Sequence, residues 1–139
     1  DAYTNYANTL DELGKSREDH EFHSLRFVHV AETDEAAAQH AETSRWNGRV
    51  AAALHRGCDS ITNGWANDVH SPNEPNDEEW NKRLVFGSPE TVIELLKGLE
   101  VAGISHVVCH FDFASMKQTD IVRSMELFAE RVMPGFDQT

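Results

Sequence analysis

The stretch "GISHVVCHFDF", Gly103 to Phe113, decides how the chain is read. Its Val107-Val108-Cys109 centre is apolar and mostly β-branched, so the segment reads as a short strand. A parallel strand buried on both faces is almost wholly apolar. This one carries His106, His110 and Asp112. Alternate strand residues face opposite ways. That puts Val107, Cys109 and Phe111 on one side and His106, Val108, His110 and Asp112 on the other. One side of the strand therefore meets polar surroundings.

Upstream, "VFGSPETVIELLKGLEVAG" (residues 85–103) contains a helix start and a helix stop. Ser88 suits an N-cap, Pro89 the first helical position and Glu90 the positive end of the helix dipole. Val92, Leu95, Leu96 and Leu99 make one apolar face, and Gly103 closes the helix. Downstream, "ASMKQ" is a loop, and Thr119-Asp120 opens a last helix. That helix has Ile121, Met125, Phe128 and Val132 along one side and stops at Pro134-Gly135.

The first half repeats the alternation. Tyr3, Tyr6, Leu10 and Leu13 give residues 2–13 helical spacing, with Gly14 as the stop. A polar connector leads into "SLRFVHVAE", a strand rich in Val and Phe. Thr33-Asp34 then starts an Ala-rich helix, and "GRVAAALHRG" continues helical to Gly57. Residues 58–83 read as an irregular insertion loop, dense in Asn, Asp, Pro and Gly. It is long for a plain connection, and such loops are lids or disordered. Trp65 and Trp80 predict that parts of it pack.

Strands alternating with helices imply a parallel sheet with right-handed crossovers. Only two strands are visible, and two parallel strands do not make a stable sheet alone. The expected solutions are association through the open edges or membership of a larger barrel.

Composition narrows the function classes. The 139 residues are enough for one domain with a modest core, and 40% are apolar. No run approaches the roughly 20 apolar residues of a membrane-spanning helix. The formal charge of −12 repels phosphate backbones, so nucleic acid is not an expected partner. Cys58 and Cys109 form no CxxC pattern, and free thiols in a reducing cytoplasm are the expected state. The chain opens "DAYTNYANTL", without Met, and reads as processed or as a piece of something longer.

Residues 85–136 closely resemble the C-terminal end of the bacterial luciferase-like, flavin-dependent monooxygenases. The resemblance rests on Gly87-Ser88-Pro89-Glu90-Thr91-Val92, on Ala102-Gly103-Ile104-Ser105-His106, and on Arg123 to Ala129 followed by Val132-Met133-Pro134. Upstream, "FVHVAETDEAA" (27–37) looks like the strand and helix start before the family's long insertion, and "YANTLDELG" like the preceding helix. The match is strong at the C-terminal end, fair over 1–45 and weak between.

The resemblance implies an α/β fold: about the last two β/α units of a TIM (β/α)8 barrel. Residues 1–139 would then form a single partial domain, since a whole barrel takes about 250 residues. It also implies a monooxygenase that oxidises a small organic substrate with O2, using reduced FMN supplied by a flavin reductase, or a deazaflavin in some branches. The isolated chain would be inactive without the remainder of the barrel or another chain, and a dimer is the expected assembly. The competing reading is a non-catalytic fragment or scaffold that needs a partner.

Active sites of such barrels lie at the C-terminal ends of the strands. His110 and Asp112 are there, facing inward, and are the expected cavity wall; the bland alternatives are a hydrogen-bonded core histidine and a loop cap. His106 lies near the bottom and reads as structural. The family's catalytic histidine and main phosphate contacts come largely from earlier strands, so no catalytic residue is assigned. Gly87 and Ser88 are weak candidates for phosphate, because a helix N-terminus attracts anions. Trp65, His70 and Trp80 are the candidate lid residues. Glu18, Asp19, His20 and His23 have metal-ligand chemistry, yet they sit in a polar connector, and no metal is expected. Cys109 and His110 face opposite ways and cannot act as nucleophile and base.

Overall fold

The computed structural model describes residues 2–55, 61–70 and 72–136. Gly57 and Cys58, read above as a helix stop and a free thiol, lie outside the described residues. The centre of the fold is β1 (His23–Val30), flanked in a parallel sheet by β4 (Val85–Gly87) and β5 (His106–His110) in the order β4-β1-β5. The first five residues of β1 pair with β5, from His23 opposite His106 to Phe27 opposite His110. The last three pair with β4, from Val28 opposite Val85 to Val30 opposite Gly87.

The sheet thus has a third strand that the sequence reading lacked. Val85-Phe86-Gly87 is too short to show a two-residue period and reads as the approach to a helix.

The helices follow the caps. Before β1 runs α1 (Ala2–Glu12). After it come α2 (Asp34–Ala38), capped by the Thr33 hydroxyl, and α3 (Ala41–His55). The predicted Ala-rich helix is broken near Gln39 and His40. Ser88 caps α5 (Pro89–Val101) by accepting from the Thr91 N–H at 3.3 Å. Gly103 ends it with φ +95°, and a side chain there would collide with the Tyr3 ring. The last helix, α6 (Gln118–Leu127), continues as a π-type turn over Phe128–Val132.

Within the stretch 58–83 expected to be irregular, the described residues 61–70 and 72–83 include regular elements. A hairpin of β2 (Ile61–Thr62) and β3 (Trp65–Ala66) turns on Asn63-Gly64, both with positive φ. That is the left-handed pair a two-residue hairpin turn requires. A short helix, α4 (Asp77–Asn81), carries a full capping box between Asn76 and Glu79.

The core lies on one side of the sheet. Val28, Val30 and Val85 meet Val92 and Leu96 of α5 and Leu127 and Val132 beside them, with Val107, Cys109 and Phe111 at the margin. The opposite side is open: Leu25 is 56% exposed and Val108 54%. Where β5 has ended, the buried Val30 N–H donates instead to the Ser124 Oγ of α6 at 2.8 Å. Ser124→Ala would orphan that donor and cost about 1–3 kcal/mol of stability. Urea denaturation should show a lower midpoint with an unchanged slope.

Candidate functional site at the C-terminal ends of the strands

Chemistry on a parallel α/β scaffold gathers at the carboxyl ends of the strands. There the odd-numbered residues of β1 and the even-numbered ones of β5 share the face that α5 and α6 leave uncovered. The register sets Phe27 beside His110, with ring centroids 5.2 Å apart. Phe113 packs on Phe27 at 5.3 Å and stacks on Phe86 at 5.4 Å. Phe86 meets His29 at 5.8 Å, and His29 meets His40 at 4.2 Å. Six rings therefore run in one continuous row across the ends of β5, β1 and β4.

Asp112 does not join the row. The two-residue period that placed it beside His110 holds only while the strand lasts, and β5 stops at His110. The chain then turns through Ala114, which has φ 57°. Phe111 packs outward on Phe128, Phe113 enters the row, and Asp112 is exposed. His106 lies at the other end of the sheet, exposed, against His23. Cys109 faces the helical side, where burial pushes its thiol up.

His29 was missed as a candidate. It is only 4% exposed, and its Nδ1 is buried with no hydrogen-bond partner among the described residues. Burial, and then the neighbouring His40, push its imidazole down to about 4. A neutral, unsatisfied imidazole at the end of a central strand is costly to keep. The signal was available: a histidine between two valines at the end of "FVHV" breaks an apolar run as His110 does.

Gly87 and Ser88 do not present an open anion site. The Ser88 N–H donates to Asp34 Oδ1 at 2.7 Å, and the Thr91 hydroxyl donates to Asp34 Oδ2 at 3.1 Å. The chain's own carboxylate fills the helix N-terminus, and those bonds hold Asp34 below the usual carboxylate range.

Trp65, His70 and Trp80 do not converge. Trp65 is 79% exposed on the hairpin. Trp80 lies on α3: its Nε1–H donates to Ser44 Oγ at 3.0 Å, and a Cβ at Gly48 would sit 2.6 Å from the indole. His70 is exposed beside Asp68 and Glu74. Below it, Glu74 accepts from Arg45 Nη1 at 3.0 Å and from Arg49 Nε at 2.9 Å, both arginines being buried. These contacts fix the base of the insertion to α3.

No family model matches the sequence, and no curated protein matches it. Solved structures do. The monooxygenase RslO1 from Streptomyces bottropensis superposes with a TM-score of 0.62 at 16% identity, covering 96% of this chain and 36% of that one. That likeness is one of fold: the parallel α/β arrangement of this chain superposes on part of that protein. The oxygenating constituent of 3,6-diketocamphane monooxygenase from the CAM plasmid of Pseudomonas putida, a type II Baeyer-Villiger monooxygenase in complex with FMN, also aligns. It gives 21% identity over 96% of this chain and 38% of its own, with a TM-score of 0.49. The chain thus spans little more than a third of either protein. Among the described residues no helix is long and apolar enough to cross a membrane.

Two outcomes are expected from this geometry. In a histidine NMR titration the His29 ring should protonate near pH 4, and stability should decline as pH falls from 6.5 towards that value, because only the unfolded chain takes up the proton readily. His29→Leu should remove that decline. Glu74→Gln should cost about 1–3 kcal/mol by removing the carboxylate that both buried arginines share, while Glu42, Asp68 and Asp77 still pair with them. The wild-type contribution of Glu74 is held above its ordinary 4.5 and lost as pH falls to about 2, since Arg49 and Arg45 depress its carboxyl that far. Thermal melts of the variant across that range should lack this component.

Proposed function

We propose that this chain supplies the closing wall of a flavin chamber in a monooxygenase that oxidises a small organic substrate with O2. The observation that carries the proposal is the row of rings running from His110 to His40, on a sheet face that the helices do not cover. The fold likeness to a segment of a monooxygenase barrel supports the same reading.

The residues fit a planar aromatic cofactor. Phe27 and Phe86, both half-buried, offer apolar ring faces and edges, which suit stacking and exclude water, and the buried Phe113 packs against both. The orphaned Nδ1 of His29 is a buried polar atom in want of a partner, and a neutral imidazole can donate or accept there. His110 adds a third imidazole, at the end of the row opposite His40. Reduced FMN would supply the activation of oxygen; a deazaflavin would suit the same surface. The wall's part is to orient the ring system and to keep the chamber dry. The phosphate goes elsewhere on this reading, because Asp34 takes the N-terminus of α5. The insertion, anchored through Trp80 and Glu74, would rim the same end, with Trp65 at its tip.

A second reading rests on the exposure of Leu25 and Val108 beside the row. An open apolar face next to strand edges invites a partner. That partner would be the remainder of the barrel or another chain, and the isolated chain would then turn over nothing.

The test uses the protein encoded by the full reading frame. FMN titration followed by fluorescence should show binding, with oxygen uptake that depends on NAD(P)H and a flavin reductase. Phe86→Ala should weaken flavin binding about tenfold or more, as loss of one stacking ring would. No flavin binding by that protein would defeat the proposal.

A further inference from the structure

We propose that Glu21, His23 and His106 form a binding site for a divalent transition ion of the zinc class. The site lies at the N-terminal ends of β1 and β5, away from the row of rings, and stands independently of the flavin reading.

The register builds it. His23 and His106 are direct partners across the two parallel strands, with ring centroids 4.5 Å apart. Glu21 Oε2 lies 2.9 Å from His23 Nε2 and 3.8 Å from His106 Nδ1, and the three donor atoms are all within 4.8 Å of one another. A tetrahedral zinc ion with bonds of about 2.0–2.2 Å sets its ligand atoms about 3.4 Å apart. The two distances to Glu21 bracket that value, so rotamer adjustment alone would close the site.

The donor set selects the ion. Two imidazoles and one carboxylate suit zinc, copper or nickel; calcium and magnesium want oxygen shells. Three protein ligands leave a fourth position for water. All three side chains are exposed, so an ion can reach them.

The backbone beneath is fixed. Ser105 N–H donates to Phe22 O at 3.1 Å, and Phe22 N–H donates to Ser105 Oγ at 3.1 Å. That hydroxyl also lies 3.3 Å from His106 Nδ1, a contact the ion would replace. His20, the sequence neighbour that made an HxxH pair with His23, takes no part: its Nδ1 lies 3.0 Å from Ser16 O.

Calorimetric titration of the chain with Zn2+, paired with Co2+ absorption, tests the assignment. One equivalent should bind, and Co2+ should give the visible band of a tetrahedral nitrogen-ligated ion. His23→Ala and His106→Ala should each weaken binding by about a hundredfold and abolish that band. Glu21→Gln, outside the strands, should weaken it with an unchanged far-UV spectrum. His55→Ala, remote in α3, should bind as wild type does. The absence of the Co2+ band in the wild-type chain, or His106→Ala binding Zn2+ as tightly as wild type, would overturn the site.

Discussion

The parallel pairing of β1 with β5, Phe27 beside His110, is the constraint on which the rest of the structure depends. A slip of one residue would turn every side chain of a strand to the other face. Here it would carry His23, Phe27 and His29 under α5 and α6 and lift Val28 and Val30 into the open. The apolar penalty for that exchange fixes the register. Ser105 and Phe22 clamp one end of the pair, and Ser124 receives the Val30 N–H at the other. The same pairing sets both rows of rings, the aromatic one at the carboxyl ends and the His23–His106 pair at the amino ends.

The two faces of the sheet carry different chemistry for one reason. The helical side is closed by Val92, Leu96, Leu127 and Val132, and it takes the valines and Cys109. The other side takes histidine, phenylalanine and leucine, and nothing among the described residues covers Leu25 or Val108. A cleft of about 330 Å³ on the helical side, lined by Leu96, Val107, Cys109 and Phe128, lies across the sheet from the aromatic row. Its lining is mainly packing surface, with Glu100 and Ser105 as its polar members. Charge is organised separately: Glu32 at the end of β1 meets Arg123 and Arg131, and Arg131 reaches on to Glu90 at the start of α5. These exposed pairs contribute little each, yet together they tie the strand end to both helices.

Legibility in the sequence followed the length of each signal. The caps at Thr33 and Ser88 were readable, and so was part of each apolar face, Val92 and Leu96 in α5 and Ile121 in α6; Leu95 and Met125 are exposed, and Leu127 takes the buried place expected of Met125. The face of His110 was readable because five strand residues alternate before it ends. β4 was not, since three residues carry no period. Asp112 was misplaced because the strand period was carried past the strand, and Phe113 takes the inward position instead. The hairpin was visible in Asn63-Gly64 but was submerged in a run of polar residues. The approach of Glu21 and His23 to His106 needs the register, which no linear spacing contains. His29 needed only the question already asked of His110.

On the proposed reading the open face is the inside of a ring, and burial there is the quantity to measure. Leu25→Cys and Val108→Cys, in a background with Cys58 and Cys109 replaced by alanine, would report it through reaction with a water-soluble thiol reagent. The measurement belongs on the protein encoded by the full reading frame, with Val101→Cys, at a position 89% exposed here, as the reactive standard. The account predicts strong protection at residues 25 and 108. Reaction as fast as at residue 101 would show that the face stays in water and that no chamber forms behind it.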